Sequence, residues 1–299
     1  FTMRRQDDVA VDWENVDLGR TWDAAYLQRI KSVFRGAQLA ADQRELLASA
    51  DVIYARNLDM LATAFLAKRK ARLDTPVIYE ALDVHRLLTR KDLVGQVFRR
   101  LERFLIYRTR RLVVSSPAFL RNHYEKHYPG RYRPALVENQ LAAGADYGPR
   151  PTAAVSSEGP LRLGWVGVLR CQRSLDLLIK VARKLGPKVE IHLHGMPALT
   201  EIPEFFEHIK GVENLTFHSR YRSPEDLATI YAGLDVVWAG DFMEAGFNSV
   251  WLLPNRLYEG GYYGVPSIAP KGTETASWIE QRDVGFIAAE KLETELPRL

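Results

Sequence analysis

Residues 161–178, LRLGWVGVLRCQRSLDLL, join a short apolar run to an amphipathic stretch through a glycine. The apolar run predicts a buried β-strand, and the amphipathic stretch predicts a helix over 174–185. The loop between them carries Gly167, Arg170 and Arg173. Unpaired backbone N–H groups at a helix start favour an anion, and two guanidiniums beside it would grip a diphosphate. A solvated loop with surface arginines is the alternative, and the local pattern does not separate the two.

The same alternation of apolar runs and amphipathic stretches extends along the chain and is typical of α/β proteins. Strands are predicted at 52–55, 76–80, 112–115, 161–166, 188–193, 214–217, 234–239 and 265–269. Helices are predicted at 58–70, 92–109, 174–185, 224–233 and 255–263. A further helix is expected to open at Ser116, as its cap, and Pro117. Residues 140–160, which are rich in Gly, Ala, Pro and Ser, predict a linker.

This order of elements predicts two Rossmann-like domains, an N-terminal one over 1–145 and a C-terminal one over 146–299. A length of 299 residues also favours two domains over one. The first half supplies fewer strands than a doubly wound sheet usually has, so we expect that its first strand is missing. The last residues stop inside a predicted helix.

The composition is that of an ordinary soluble globular protein, with 46% apolar and 26% charged residues. No apolar run reaches the length of about 18 residues that predicts a membrane-spanning helix, and the N-terminus lacks the apolar core of a signal peptide. A single cysteine, Cys171, excludes an internal disulfide and favours a reducing, cytoplasmic location. The net charge of +4 suits an anionic ligand or lipid surface without selecting either.

A carboxylate stands in the segment PNRLYEGGYYGVPSIAP, residues 254–270. Helical spacing places this residue, Glu259, on the same face as Arg256, and an ordinary ion pair is slightly favoured. Alternatively, Glu259 could accept hydrogen bonds from both hydroxyls of a vicinal diol such as a ribose, because a carboxylate offers several acceptor lone pairs. Arg256 is then available either to a phosphate or to Glu259.

Several motifs, in their order along the chain, resemble the nucleotide-sugar domain of GT-B fold glycosyltransferases. These motifs are Gly167-Val168-Leu169 with Arg173, Gly195 after EIHLH, Tyr221 after LTFHSR, then DLATIYAGLDVVW and NRLYEGGYYGVPSIA. The similarity covers about residues 161–288. Within the GT-B glycosyltransferases, the sequence resembles more specifically the bacterial family 4-like and succinoglycan-type exopolysaccharide transferases. The resemblance implies a GT-B fold, with two Rossmann-like domains facing a central cleft. It also implies a nucleoside diphosphate sugar donor and a saccharide acceptor, expected to be lipid-linked.

The resemblance also implies roles for residues of the C-terminal half. The expected ligands of the donor diphosphate are Gly167, Arg170, Arg173 and Arg256. Glu259 would bind the ribose hydroxyls, and Tyr221 would stack on the base.

Three positions depart from the family pattern. Trp251 stands where a frequent Glu-x7-Glu pair would place an acid, and Val168 stands where an arginine often follows the loop glycine. Glu244 offers an earlier acid, but at a different spacing. These departures leave open whether the transfer inverts or retains the anomeric configuration.

In the resembling fold, the carboxyl edge of the N-terminal sheet faces the acceptor. Glu80, Asp83 and His85 lie at the C-terminal end of a predicted strand at that edge, where α/β proteins bind ligands. A carboxylate beside an acceptor hydroxyl could act as general base, and Asp83 is the first choice. Capping of the next helix is an equally plausible role for Asp83. Arg56 and Asn57 follow the preceding strand and share the same edge.

Residues 86–111 carry many basic residues with apolar residues between them, which we call the basic face. Its cations are Arg86, Arg90, Lys91, Arg99, Arg100, Arg103, Arg108, Arg110 and Arg111. Its apolar residues are Val97, Phe98, Leu101, Phe104 and Leu105. Such a helix could lie on anionic lipid at the inner face of the plasma membrane, or its apolar stripe could simply face the core. No nucleic-acid-binding motif accompanies the charge.

No metal site and no cofactor beyond the donor substrate are predicted. His123 and His127 lack the acid of an H-E-x-x-H motif, and His192 and His194 share one strand face, where packing is the simplest role. Two other functions remain open on the sequence. A nucleotide-sugar 2-epimerase would convert the donor in the absence of an acceptor. A non-catalytic bilobal sugar- or nucleotide-binding protein would bind a nucleoside diphosphate but show no diphosphate release with any acceptor.

Overall fold

The structure, a computed structural model, describes residues 1–4, 14–21, 26–150, 159–243, 247–288 and 292–296. Glu244 and much of the predicted linker lie outside these ranges. The chain divides into two compact units, Phe1–Val137 and Glu138–Leu299.

This division falls earlier than the predicted boundary at 145/146, because the intervening segment packs on the second unit. Glu138 accepts hydrogen bonds from Tyr258 Oη and Trp278 Nε1, both at 3.1 Å. Tyr263 Oη donates to the carbonyl of Tyr147 at 2.5 Å. The first part of the predicted linker therefore belongs to the packed surface of the second unit.

The first unit contains a parallel sheet and the helices around it. Its strands are β1 (Thr2–Arg4), β2 (Asp17–Arg20), β3 (Ile53–Arg56), β4 (Val77–Ala81), β5 (Arg111–Val114) and β6 (Pro134–Leu136). Its helices are α1 (Tyr26–Asp42), α2 (Arg44–Ser49), α3 (Asn57–Ala71), α4 (Arg86–Thr89), α5 (Leu93–Ile106), α6 (Pro117–Phe119), a π-helical turn (Leu120–Tyr124) and α7 (Glu125–His127). Strands β3 to β6 pair in chain order, all parallel, and β1 pairs only with β2.

A fully buried carboxylate, Glu102 of α5, organises the core of this unit. It accepts hydrogen bonds from the hydroxyls of Tyr79, Tyr124 and Tyr128 at 3.1, 3.4 and 2.7 Å. Its Oε2 also lies 2.8 Å from His123 Nε2. A buried charge is tolerated only when it is paired and hydrogen-bonded in this way, so this cluster ties α5 to β4 and to the π-helical turn.

The second unit contains six strands and eight helical segments among its described residues. Its strands are β7 (Leu161–Val166), β8 (Val189–His194), β9 (Leu215–Phe217), β10 (Val236–Trp238), β11 (Ser267–Pro270) and β12 (Gly285–Ala288). Its helices are α8 (Gln172–Leu185), a 3-10 turn (Gly186–Lys188), α9 (Phe205–Ile209), α10 (Leu227–Ala232), α11 (Asn248–Trp251), α12 (Asn255–Tyr262), α13 (Glu274–Arg282) and α14 (Leu292–Glu295).

These six strands form one parallel sheet in the order β9-β8-β7-β10-β11-β12. Numbered from β7, this is the 3-2-1-4-5-6 order of a Rossmann sheet. The direction of winding reverses between β7 and β10, and ligands of open α/β sheets bind outside the carboxyl ends of the strands at such a point. The sheet therefore directs attention to the loops that follow β7 and β10.

The predicted strands and helices are present, with ends that shift by a few residues. The predicted cap is confirmed, because Ser116 Oγ accepts the N–H of Ala118 at 3.2 Å. Helix α1, strand β6 and strand β12 are among the elements that were not predicted. The edge positions of β6 and β12 explain why their patterns are weak, because an edge strand pairs with a single neighbour and needs little apolar sequence.

Candidate functional site

Three loops meet at the carboxyl edge of the second sheet. The N–H of Gly167 donates to the carbonyl of His194 at 2.9 Å, and the N–H of Gly195 donates to the carbonyl of Ser219 at 2.7 Å. Both glycines have positive φ, and a Cβ on Gly195 would lie 1.8 Å from the carbonyl oxygen of Gly167. Glycine is therefore required at 195 for the loops to approach this closely.

Arg256 reaches the switch point from the first turn of α12. Its Nε donates to the carbonyl of Trp238 at 2.8 Å, and its Nη2 donates to the carbonyl of Gly240 at 3.1 Å. A Cβ on Gly167 would lie 3.8 Å from Nη1 of Arg256. The guanidinium is thus fixed at the end of β10 with its third nitrogen toward the glycine loop of β7.

Arg170 joins the same place from the loop after β7. It donates to Asp241 Oδ2 from Nε at 3.3 Å and from Nη2 at 3.2 Å. The other oxygen of Asp241 accepts the N–H of Met243 at 2.9 Å and the hydroxyl of Ser249 at 3.2 Å. Asp241 is buried, so it holds Arg170 in position across the switch point.

Arg173 lies in the first turn of α8, on the same side. Its guanidinium carbon sits 4.2 Å from the ring centroid of Phe242, and its side chain is exposed. The helix is capped by Cys171, whose Sγ accepts the N–H of Ser174 at 3.3 Å. The buried Cys171 thus has a structural role, and Arg173 adds a third guanidinium at the N-terminus of α8.

Glu259 does not form the predicted ion pair with Arg256. It is only 8% exposed, and Tyr231 Oη donates to its Oε2 at 2.7 Å. Among the described residues, no hydrogen-bond donor reaches its Oε1, and no ion pair joins it to Arg256. The prediction fails because the guanidinium of Arg256 turns to the two carbonyls at the end of β10 instead. Burial raises the pKa of Glu259 above its ordinary value, opposed by the Tyr231 hydrogen bond and by the nearby charge of Arg256.

Tyr221 lies close to Glu259 and Arg256. It is half-buried against the cluster that contains Tyr231 and Tyr263. Burial and the charge of Glu259 raise its pKa to about 12. The structure therefore brings the predicted diphosphate and nucleoside residues to one edge of one sheet.

Sequence reasoning missed two residues of this region, Asp241 and Tyr231. Asp241 follows the end of β10 closely, and an acid just after a buried strand on the far side of the switch point was a usable signal. Tyr231 gave none, because its hydroxyl acts on Glu259 through tertiary packing alone.

In the first unit, three of the predicted residues line one cavity. This cavity has a volume of about 560 Å³, lies between α1, α3 and α5, and has Asp83, His85 and Asn57 in its lining. Asn57 begins α3 with φ of 67°, and its buried Oδ1 has no hydrogen-bond partner in the described part of the chain. Most of the remaining lining is apolar.

The predicted helix cap at Asp83 is wrong. His85 caps α4 instead, because its Nδ1 accepts the N–H of Leu87 at 3.2 Å. Asp83 is exposed and has no hydrogen bond or ion pair with the described residues. Burial and the guanidinium of Arg29 lower the pKa of His85, and Arg29 itself pairs with Asp59.

Glu80 and Arg56 pair with each other, apart from the residues that line the cavity. Arg56 Nε donates to Glu80 Oε2 at 2.6 Å, and Tyr54 Oη donates to Glu80 Oε1 at 3.1 Å. Both oxygens of Glu80 are therefore occupied, so that of the two predicted acids Glu80 and Asp83 only Asp83 is unpaired among the described residues.

Helix α5 turns an apolar stripe to the surface. Leu93, Val97, Leu101 and Phe104 are 77%, 60%, 41% and 54% exposed. Of the predicted stripe, Leu105 is buried. The alternative that the whole stripe faces the core is therefore wrong. None of the helices that the structure describes combines the length and apolar character needed to cross a bilayer.

No protein-family model matches the chain. The succinoglycan biosynthesis protein ExoL of Rhizobium meliloti (strain 1021) is 41% identical over 292 residues, which cover 95% of this chain and 72% of ExoL. The crystal structure of HepE of Anabaena in complex with UDP and glucose matches with a TM-score of 0.63 and 17% identity, over 87% of this chain and 70% of HepE. Sucrose-phosphate synthase of Thermosynechococcus elongatus matches with a TM-score of 0.67 and 12% identity, over 90% and 69% of the two chains.

The structural matches are too remote in sequence to show more than a shared fold, which is the GT-B fold of glycosyltransferases. The identity to ExoL extends over most of both chains. Together they confirm the predicted resemblance. The chain belongs to the family of the succinoglycan biosynthesis protein ExoL and has the GT-B fold.

Proposed function

We propose that this chain transfers a sugar from a nucleoside diphosphate sugar to a lipid-linked saccharide. The observation that carries the donor half of the proposal is the switch point between β7 and β10, where three guanidiniums and a buried carboxylate surround the glycine loops. HepE, which shares the fold, was crystallised with UDP and glucose. We therefore take UDP as the first nucleotide to test.

The donor diphosphate would lie against Gly167, between Arg170, Arg173 and Arg256. Arg256 uses two of its nitrogens on backbone carbonyls and directs the third toward Gly167. Arg170 is also held in place, because its Nε and Nη2 both donate to the carboxylate of Asp241. Guanidiniums held in advance interact with the charge that develops on the leaving diphosphate without reorganising during the reaction. We assign this stabilisation to the arginines and propose a transfer independent of metal ions and of any further cofactor.

The nucleoside would lie beside Glu259 and Tyr221. Glu259 keeps Oε1 free of partners in the described residues, while Tyr231 holds Oε2. An ionised carboxylate accepts hydrogen bonds from both hydroxyls of a ribose. Tyr221 is half-buried next to this acid and offers an aromatic ring to the base.

On the acceptor side, Asp83 is the proposed general base. In an inverting transfer, Asp83 takes the proton of the acceptor hydroxyl, and that oxygen attacks the anomeric carbon while the bond to the diphosphate oxygen breaks. Asp83 fits this role because its carboxylate is exposed and unpaired. Asn57 lines the same cavity and would contact the acceptor. Glu80, His85 and Arg56 are less suited, since each already bonds a neighbour.

The lipid-linked nature of the acceptor rests on α5. Its exposed stripe and the arginines around it match a helix that lies on an anionic membrane surface. Phe98, Leu101 and Phe104 also line the cavity that Asp83 lines. We therefore propose a cytoplasmic protein that works at the inner face of the plasma membrane, and no role with nucleic acid.

Two measurements test this proposal together. Thermal-shift titration with UDP, GDP, ADP and TDP should show stabilisation by one of them, and Arg256→Ala should weaken that stabilisation. With the matching nucleotide sugar as donor, the protein should then release the nucleoside diphosphate only when a lipid extract containing the acceptor is added.

The controls separate the alternatives. Asp83→Asn should still bind the nucleotide but release little of it with the acceptor, and full activity would place the base elsewhere. Conversion of the donor in the absence of any acceptor would contradict transfer, and stabilisation by none of the nucleotides would overturn the donor site.

A further inference from the structure

Three histidines lie together on one face of the second sheet. His192 and His194 are two residues apart on β8, so their side chains leave the same face of the strand. The register pairs His192 with Thr216 and Leu193 with Phe217 of β9, which places His218 across from His194. The ligand nitrogens of these three residues all lie within 4.8 Å of one another.

Part of this cluster already has the spacing of metal ligands. His192 Nδ1 lies 3.0 Å from His218 Nε2. Two nitrogens on a tetrahedral Zn²⁺, with bonds of about 2.0–2.1 Å, are separated by about 3.3 Å. These two atoms therefore need to move apart only slightly to share an ion, while His194 supplies a third nitrogen from the same strand as His192.

The surroundings of His192 resemble the outer shell of a metal site. Its Nε2 is buried without a hydrogen bond, and Glu190 Oε2 lies 3.6 Å away on the same strand face. Histidines that bind a metal through one nitrogen usually direct the other N–H to a carboxylate, which fixes the ring and raises its basicity. With Nδ1 on the ion, His192 would direct Nε2–H to Glu190.

The rings of His194 and His218 now stack at 4.2 Å and nearly parallel. Binding therefore requires the rings to turn about their Cβ–Cγ bonds, and the exposed side chain of His218 has room to do so.

We propose that His192, His194 and His218 form a binding site for a divalent transition metal ion of the zinc type. Three imidazoles suit Zn²⁺, Co²⁺ or Cu²⁺ better than Mg²⁺ or Ca²⁺, which prefer oxygen ligands. Three protein ligands leave one position for water, as in open zinc sites.

The ion would tie β8 to β9 at the sheet edge where the loop toward Tyr221 begins. The site uses none of the residues assigned to the diphosphate. It is therefore compatible with metal-independent transfer and does not depend on the donor assignment.

The test uses the whole chain without nucleotide. Zn²⁺ is titrated by calorimetry against a competing chelator, and Co²⁺ is added as a spectroscopic probe. We expect one ion per chain and the intense visible absorption of four-coordinate Co²⁺. His194→Phe keeps a ring for stacking but removes a ligand, so it should lose the stoichiometric ion while the melting temperature without metal changes little. Glu190→Gln should weaken binding by about 10- to 100-fold.

Matched variants decide the outcome. His208→Gln removes a histidine of the same unit outside the cluster and should bind Zn²⁺ like the wild type. His218→Gln changes an exposed side chain and gives a second test if His194→Phe fails to fold. Wild-type binding no tighter than that of His218→Gln would overturn the proposal, and so would half an ion per chain with dimerisation, since the ligands would then come from two chains.

Discussion

The role of Glu259 can be tested by an isosteric change, Glu259→Gln. The carboxylate is buried, and Tyr231 Oη donates to one of its oxygens at 2.7 Å. A glutamine keeps an oxygen for that hydrogen bond, so the packing around Tyr231 should survive. The oxygen that faces the proposed ribose becomes an N–H₂ group, which donates and cannot accept. The substitution therefore removes the ligand contact while leaving the local fold in place.

The expected loss follows from the kind of hydrogen bond that is removed. Hydrogen bonds to charged groups contribute about 1.5–3 kcal/mol, which corresponds to a rise in Kd of about 10- to 100-fold. Isothermal titration calorimetry with UDP measures this change. Titration with 2′-deoxy-UDP completes a cycle: the wild type should prefer UDP, and Glu259→Gln should lose most of that preference. Glu280→Gln removes an exposed carboxylate from α13 in the same unit and should leave both constants unchanged.

Two results would refute the reasoning. One is an unchanged Kd for UDP in Glu259→Gln with an intact melting profile. The other is an equal preference for UDP over 2′-deoxy-UDP in the variant and the wild type, since the loss would then not involve the ribose. If UDP does not bind the wild type, the cycle is run with the nucleotide that stabilises it in the thermal-shift screen.

Three further predictions concern pH, stability and membranes. Burial raises the pKa of Glu259, and the ionised form is the one that accepts the ribose hydroxyls. As the pH decreases, nucleotide affinity should therefore begin to fall at a higher pH than it would for an exposed glutamate. Calorimetry across a pH series checks this, and an affinity of the wild type that does not change with pH contradicts it. Glu102→Ala leaves three tyrosines and a histidine without their buried acceptor, so the free energy of unfolding of the first unit should fall by about 3–5 kcal/mol in chemical denaturation; a similar loss for Glu125→Ala, at an exposed site, would argue against this cause. Phe104→Ser should weaken sedimentation with anionic vesicles by about tenfold, the scale of one apolar side chain moved out of water, whereas Phe206→Ser, which removes a similarly exposed ring of the second unit, should not.

Local pattern predicted which segments form helices and strands, but it did not predict which way each helix faces. The period of α5 was evident in the sequence, yet its buried residues are Gly95, Glu102, Leu105 and Ile106, and only Leu105 of these belongs to the predicted apolar stripe. A charged residue at the centre of a buried face contradicts the usual rule for a core. The rule fails here because three tyrosine hydroxyls and a histidine from other elements meet that charge, and none of them is near it in sequence.

The ion pair between Arg256 and Glu259 failed for a related reason. A spacing of three residues brings two side chains within reach on an isolated helix, but it says nothing of competing partners. In the folded unit, two carbonyls at the end of β10 accept from Arg256, and a tyrosine of α10 donates to Glu259. Each of these contacts joins two different secondary-structure elements that are well separated in sequence, so a short window of sequence does not contain both partners.

The positions of the predicted donor residues were nevertheless accessible, because the topology of a parallel sheet restricts where loops can go. Crossovers between parallel strands are right-handed in nearly all proteins. The chain first adds strands on one side of β7 and then returns to place β10 on the other side, so the direction in which strands are added reverses between β7 and β10. The loop with Gly167 and Arg170 and the segment with Asp241 follow the two strands at that reversal, and α12 brings Arg256 to it. The order of motifs along the chain therefore carries three-dimensional information that the spacing within any one motif lacks. That difference explains why the predicted donor residues lie together at one edge of one sheet, although the partners of their individual charges were not predicted.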